Sequence, residues 1–194
     1  LGDVYKRQLM HISMKVFFLY FLIMLGVFSS QTSYADRIVG SQQLVEDLYG
    51  DLVVTSMKEL SNVEQEKTLK NLFEKYVDIP IIARAVLGKS WREASSDQRK
   101  RFIDAFKGYV SNKYGRQFSE FKGTTLQIVK SRDTLTKAGV LVSTEVVVPG
   151  NPPLKVVWQI SDGSGALKLV DLRVEGISMP VSYTHLTLPT SVIV

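Results

Sequence analysis

The residue types that most often do chemistry are scarce here. The 194-residue chain has no cysteine. That excludes thiol nucleophiles, disulfides, Cys-ligated zinc, iron–sulfur clusters and a lipid-modified N-terminal cysteine. The two histidines, His11 and His185, stand near the ends. Carboxylates remain. Asp171 and Glu175 fall four apart on the polar face of an expected strand. Such a pair could share acid–base work, but the commoner role is a solvated or ion-paired face. Asp78, just before Pro80, reads as a helix cap. Arg99-Lys100-Arg101 reads as the wet side of a helix, with contact to lipid phosphate or a membrane surface as the alternative. Gly163 and Gly165 sit in a turn between strands, which is the wrong place for a phosphate loop.

Composition narrows the class. Hydrophobic residues make up 45% and charged residues 22%, an ordinary globular balance for a single domain. Residues 14–35 read as a secretory leader. Lys15 precedes an apolar run from Val16 to Phe28, and Ser33-Tyr34-Ala35 fits a small-x-small site with cleavage after Ala35. The run is short of the ~20 residues needed to span a bilayer. Met10 and Met14 are both possible starts, so residues 1–13 are expected to be non-native upstream translation. Residues 180–194 lose the preceding charge density and are expected to be a non-native tail. The working domain is then 36–179, with 21 Lys+Arg against 18 Asp+Glu, a net of +3. That is too mild for a nucleic-acid partner, and export argues the same way.

The elements that must position any site change character part-way along. Residues 36–60 place Ile38, Val45, Leu48, Leu52 and Val53 near helical spacing. Asn62 can cap a second helix bearing Leu69, Leu72, Phe73, Tyr76 and Val77. Pro80 suits the first turn of a third, short helix carrying Ile81, Ile82, Val86 and Leu87 and stopped by Gly88. Ser95 or Ser96 caps the longest helix, predicted over 97–120, with a stripe of Phe102, Phe106, Tyr109, Val110, Tyr114 and Phe118. From there the period becomes two. Leu126, Ile128 and Lys130 share a face. So do Val140, Val142, Thr144, Val146 and Val148, then Leu154, Val156, Trp158 and Ile160, then Val170, Leu172 and Val174. Short turns between successive strands mean an antiparallel meander. Helices followed by strands mean α+β, with the helices covering the apolar sheet face. Pattern alone does not separate a filled interior from a cavity lined by the same side chains.

The segment 81–106, IIARAVLGKSWREASSDQRKRFIDAF, resembles the MlaC family of periplasmic phospholipid carriers, also called toluene-tolerance auxiliary proteins. The resemblance rests on Ala83-Arg84, Val86-Leu87-Gly88, Trp91-Arg92, Ser95, Gln98-Arg99 and Phe102/Phe106. Residues 167–179 are similar to the family's last strand, with Asp171, Glu175-Gly176 and Ser178 in register. Leu167 and Val170 depart from the aromatic residues usual there.

The resemblance implies N-terminal helices packed on a curved antiparallel sheet around an apolar cavity. It implies a periplasmic carrier that moves phospholipid between outer and inner membranes and maintains outer-membrane asymmetry, with no catalysis. Phospholipid would be cargo, and no cofactor is expected. The expected wall is Leu87, Trp91, Phe102, Phe106, Val110, Tyr114, Val142, Val146, Trp158, Ile160, Val170, Leu172 and Val174. Arg84, Lys89 and Arg92 are the head-group candidates. Partners would be an inner-membrane ABC transporter with an MCE-domain subunit and an outer-membrane lipoprotein–porin complex. Membrane-surface contact would be transient and the carrier a monomer. Two rivals stand beside this. One is an interaction module with a solid core, and the other is a cone-shaped α+β enzyme using a pocket carboxylate. The inward strand faces carry no carboxylate for the latter.

Overall fold

A computed structural model describes residues 34–180 apart from position 116. Both histidines, the apolar core of the expected leader and residues 181–194 lie outside the described residues. The described residues from Ile38 to Pro180 fall in one compact unit.

Among the described residues, five helices come first. Helix α1 covers 34–56 and buries Val45, Leu48, Tyr49 and Leu52 at steps of three and four. Helix α2, Asn62–Tyr76, starts one residue earlier in its logic than expected. Ser61, not Asn62, is the cap. Its hydroxyl accepts from the Glu64 amide, and the Glu64 carboxylate accepts from the Ser61 amide, which is the reciprocal capping box. Helix α3, Ile79–Leu87, is capped by Asp78, whose carboxylate accepts from the Ile81 amide at 3.1 Å. It stops at Gly88 with φ 55°, where a side chain would be strained. Its buried face is Ile79, Ala83 and Val86, and Ile81 is exposed.

Two features of the helical half were not expected. A single turn, α4 (Ser90–Glu93), follows α3. Helix α5 runs Ser96–Gly115 and so ends earlier than 120. Ser95 and Gln98 cap its start reciprocally. A short 3₁₀ turn, Phe118–Phe121, leads into the sheet.

The sheet is a five-stranded antiparallel meander in the order β1 (Thr125–Asp133), β2 (Val140–Val147), β3 (Leu154–Ser161), β4 (Lys168–Val174), β5 (Ile177–Ser178). On β2 and β3 the expected alternation holds. Val140, Val142, Thr144 and Val146 are buried opposite Ile160, Trp158, Val156 and Leu154. Gly139 leads into β2 with φ 84°, and a Cβ there would sit 1.9 Å from the Ile160 carbonyl oxygen. Only glycine lets the two backbones approach so closely.

Two bulges correct the expected faces on β1 and β4. The β1 register jumps between Ile128 and Lys130, which ejects Val129 and moves the inner face from Lys130 to Ser131. On β4, Trp158 faces Leu172 but Ile160 faces Leu169. The extra residue turns Val170 off the inner face, and Leu169 takes its place, buried.

The interior has two apolar clusters. The larger joins α1 and α2 to the sheet. The smaller joins α3 to the first half of α5 through Ile79, Ala83, Val86, Phe102 and Phe106. Phe73, Val77 and Tyr114 pack against both. The α2–α3 link is pinned to the sheet where the Asp78 amide donates to the Leu169 carbonyl at 2.9 Å.

Candidate binding site

A cavity of about 640 Å³ lies between the two clusters. Each side of its wall comes from a named element. Helix α1 supplies Leu48, Tyr49 and Leu52, and α2 supplies Leu69 and Phe73. Val77, Ile79 and Ile82 come from the α2–α3 corner, and Phe106, Val110 and Tyr114 from α5. The sheet contributes Val146, Leu154, Val156, Trp158, Leu169, Leu172 and Val174, with Val148 just past β2, and Met179 and Pro180 follow β5. The polar lining residues are Lys107, Gln117, Glu120 and Thr124, besides the Tyr49 hydroxyl and the Trp158 indole. Glu120 and Leu154 are exposed and mark where the cavity reaches water.

The polar groups of Tyr49, Thr124, Trp158 and Lys107 in the wall are already bonded. The Tyr49 hydroxyl donates to Thr124 Oγ1 at 2.5 Å, and that hydroxyl donates to the Phe121 carbonyl at 2.8 Å. Burial pushes the Tyr49 pKa up, so its hydroxyl stays neutral. Trp158 Nε1 donates to Thr144 Oγ1, which donates to the Val156 carbonyl. Lys107 donates to Glu74 on α2, and that hydrogen bond pulls the Glu74 carboxyl below its usual range. What the cavity offers a guest is therefore apolar contact, with few unspent donors or acceptors. Among the described residues no cluster of three His, Asp or Glu could hold a metal.

Seven of the thirteen expected wall residues border this cavity: Phe106, Val110, Tyr114, Val146, Trp158, Leu172 and Val174. Six do not. Val142 and Ile160 are wholly buried in the larger cluster and do not line this cavity. Leu87, Trp91 and Phe102 belong to the smaller cluster and do not line the cavity. Val170 is turned away by the β4 bulge. The expected head-group residues Arg84, Lys89 and Arg92 are exposed and do not line the cavity, because α3 presents Ile79 and Ile82 to it instead. The cation that does line it is Lys107. The apolar stripes of α1 and α2 were visible in the sequence, but nothing in their spacing says that they face a hollow. Phe121 and Thr124, between the last helix and the first strand, carry no periodic signal at all.

Comparison with known proteins agrees with this architecture. A sequence profile of the family described as MlaC protein matches residues 42–185. The chain belongs to the MlaC family. A relative from Haemophilus influenzae, the intermembrane phospholipid transport system binding protein MlaC, is 22% identical over 142 residues, which is 71% of this chain. The chain spans 66% of that relative's length, just under two thirds. Among solved structures, a phospholipid-binding protein from Ralstonia solanacearum, in complex with a phospholipid, superposes with a TM-score of 0.67. It shares 16% identity, and the match covers 75% of this chain and 84% of that one. At that identity the likeness speaks for the MlaC fold alone.

Proposed function

We propose that this chain is a periplasmic phospholipid carrier that moves lipid between the outer and inner membranes and performs no bond chemistry. The observation that carries the reading is the cavity: about 640 Å³, apolar, and lined by both interior clusters. Its size suits acyl chains. A 150 Å³ apolar cavity accommodates benzene, about 25 Å³ per carbon, so this one has room for on the order of 25 carbons. The names of the Haemophilus and Ralstonia proteins, both of which speak of phospholipid, support the same cargo.

The physics explains why a carrier is needed. Hiding one CH₂ from water is worth about 0.8 kcal/mol, so exposing two ordinary acyl chains costs on the order of 20 kcal/mol. A shuttle must offer a wall about as good as the bilayer. A much better wall would never release the lipid, and a much poorer one would never load. The interior also benefits from the guest. At about 24 cal/mol per Å³, a wall this size lacking any apolar filling would forfeit up to about 15 kcal/mol, as much as a typical domain's whole stability.

The head group would sit in water by Glu120 and Leu154. Loading would run through an inner-membrane ABC transporter with an MCE-domain subunit and an outer-membrane lipoprotein–porin complex, with this chain acting as a monomer after cleavage of a leader at Ala35. A solid-core interaction module fits poorly with a cavity of this size. A pocket-carboxylate enzyme fits poorly with Glu120, which is solvent-exposed rather than desolvated.

The test is direct. Purify the full chain without denaturant, extract it with solvent, and weigh the extract by mass spectrometry. About one phospholipid per chain is expected, and its removal should lower the melting temperature. Protein that carries no lipid and is indifferent to added lipid sinks the reading.

A further inference from the structure

The positive charge of this molecule is concentrated in one place. Across 36–179 the net charge is +3, yet residues 84–101 alone hold six Lys or Arg against two carboxylates, a net of +4. The remainder is slightly acidic. The six cations are Arg84 at the end of α3, Lys89 just before α4 and Arg92 on it, and Arg99, Lys100 and Arg101 in the first turns of α5. These three elements meet at one corner of the fold. Arg99 ties it together: its Nε donates to the Trp91 carbonyl at 2.8 Å, its Nη2 donates to the Arg92 carbonyl at 3.3 Å, and its guanidinium lies over the Trp91 ring.

The other cations there are little used by the fold. Arg84, Lys89, Arg92, Lys100 and Arg101 are all exposed. Only Arg101 has a carboxylate partner, Asp97 one turn away, while Arg84, Lys89, Arg92 and Lys100 have none among the described residues. None of the six borders the cavity. The same helices nevertheless build the cavity wall. Ile82 lies two residues from Arg84, and Phe106 lies seven residues from Arg99, about 10 Å along the helix at 1.5 Å per residue.

We propose that the α3–α4–α5 corner docks the protein onto a bilayer surface carrying anionic phospholipid head groups. Exposed long cations without carboxylate partners, spread over three elements, suit a diffuse plane of negative charge better than a shaped acidic groove. Half-buried Trp91, in their midst, is the residue type that favours a membrane–water boundary. Docking by this corner brings α3 and α5, and with them one cavity wall, close to the lipid. The purpose rests on the carrier reading, but the charge asymmetry does not.

The experiment measures flotation of the full chain with two kinds of vesicle at low salt. One kind mixes phosphatidylethanolamine with phosphatidylglycerol, and the other is pure phosphatidylcholine. Binding to the first and not the second is expected. The triple variant Arg84→Gln/Lys89→Gln/Arg92→Gln should bind the anionic vesicles roughly a hundredfold more weakly, since each basic residue near such a surface contributes about a fivefold factor. A control of equal charge change on the β1 side, Lys130→Gln/Arg132→Gln/Lys137→Gln, should lose far less. Equal losses in both variants would mean that net charge alone attracts the protein, and the docking site would be refuted. Corner-dependent binding to polyglutamate without vesicle binding would refute it too, in favour of an acidic protein partner. Phospholipid content, measured in the same preparations, should be unchanged by the corner variant. Lipid-free wild type that still floats through this corner would overturn the carrier reading and leave the docking site standing.

Discussion

Strand β2 places the same kind of residue in two different surroundings. Val140 and Val142 at one end are wholly buried and lie outside the cavity wall. Val146, and Val148 just beyond the strand, have the same spacing and the same inward direction, yet they border the cavity. The difference lies in what stands opposite. At the Val140 end Gly139 packs closely against the Ile160 backbone, and Val140 and Val142 lie within the cluster that joins α1 and α2 to the sheet. At the other end α5 packs mainly on α2 and α3 rather than down on the strands. A helix held off the sheet leaves a space, and the wall of that space is made of the residues that would otherwise be core.

The sharpest way to break this comparison is to remove matched side chains from the two ends. Ile160→Ala should cost roughly 2–5 kcal/mol, since a wholly buried aliphatic group leaves a void behind. Leu172→Ala, at the cavity wall, should cost only about 1 kcal/mol in delipidated protein, because it widens a space that already exists. Urea unfolding of both variants decides the matter. If the two losses are equal, the hollow end is packed as densely as the solid one.

Adding volume sharpens the same contrast. Val142→Trp should destabilise by about 1–3 kcal/mol or more, since a filled core resists an extra ring. Val174→Trp should leave the unfolding midpoint nearly unchanged and cut copurified phospholipid severalfold, because the indole takes space meant for acyl carbons. Lipid content unaffected by Val174→Trp would place the cargo elsewhere.

Much of the architecture was legible because its signals are local. Asp78 with Pro80, Gly88, and Ser95 with Gln98 mark helix ends by hydrogen bonds made within a few residues. Alternation on β2 and β3 survives folding because nothing interrupts their pairing. What the sequence hides is set by partners far away in the chain. The bulges at Val129 and Val170 depend on the register of the neighbouring strand, and a valine that will be ejected looks like one that will be kept. The site divides the same way. Trp158 and Val174 border the cavity while Ile160 and Val142 do not, though all four lie on inward faces. Arg84, Lys89 and Arg92 stood beside the family-like motif, but that motif forms a corner, and the cation at the cavity is Lys107.

The smallest effect concerns how the helices around the cavity are clasped. Asp51 on α1, between the cavity-lining Tyr49 and Leu52, accepts from the Tyr76 hydroxyl at 2.7 Å and from Lys75 at 3.1 Å, tying α1 to α2. A second tie, Lys107 to Glu74, joins α5 to α2, and Lys107 itself lines the cavity. The Tyr76 hydrogen bond, with help from Lys75, holds the Asp51 carboxyl below its usual range. A carboxyl whose folded pKa is depressed stabilises the fold above its unfolded pKa of about 4 and loses that contribution as pH falls through the folded value. Asp51 is substantially exposed, so screening keeps the effect to about 1 kcal/mol or less. Asp51→Asn should therefore unfold at slightly lower urea than wild type at pH 7, with the gap closing below pH 4. Glu74→Gln at neutral pH should shift the urea midpoint less and the rate of lipid uptake more, since its partner Lys107 lines the cavity whereas Asp51, Lys75 and Tyr76 do not. If Asp51→Asn alters lipid uptake while Glu74→Gln alters only stability, Lys107 is not part of the working cavity wall.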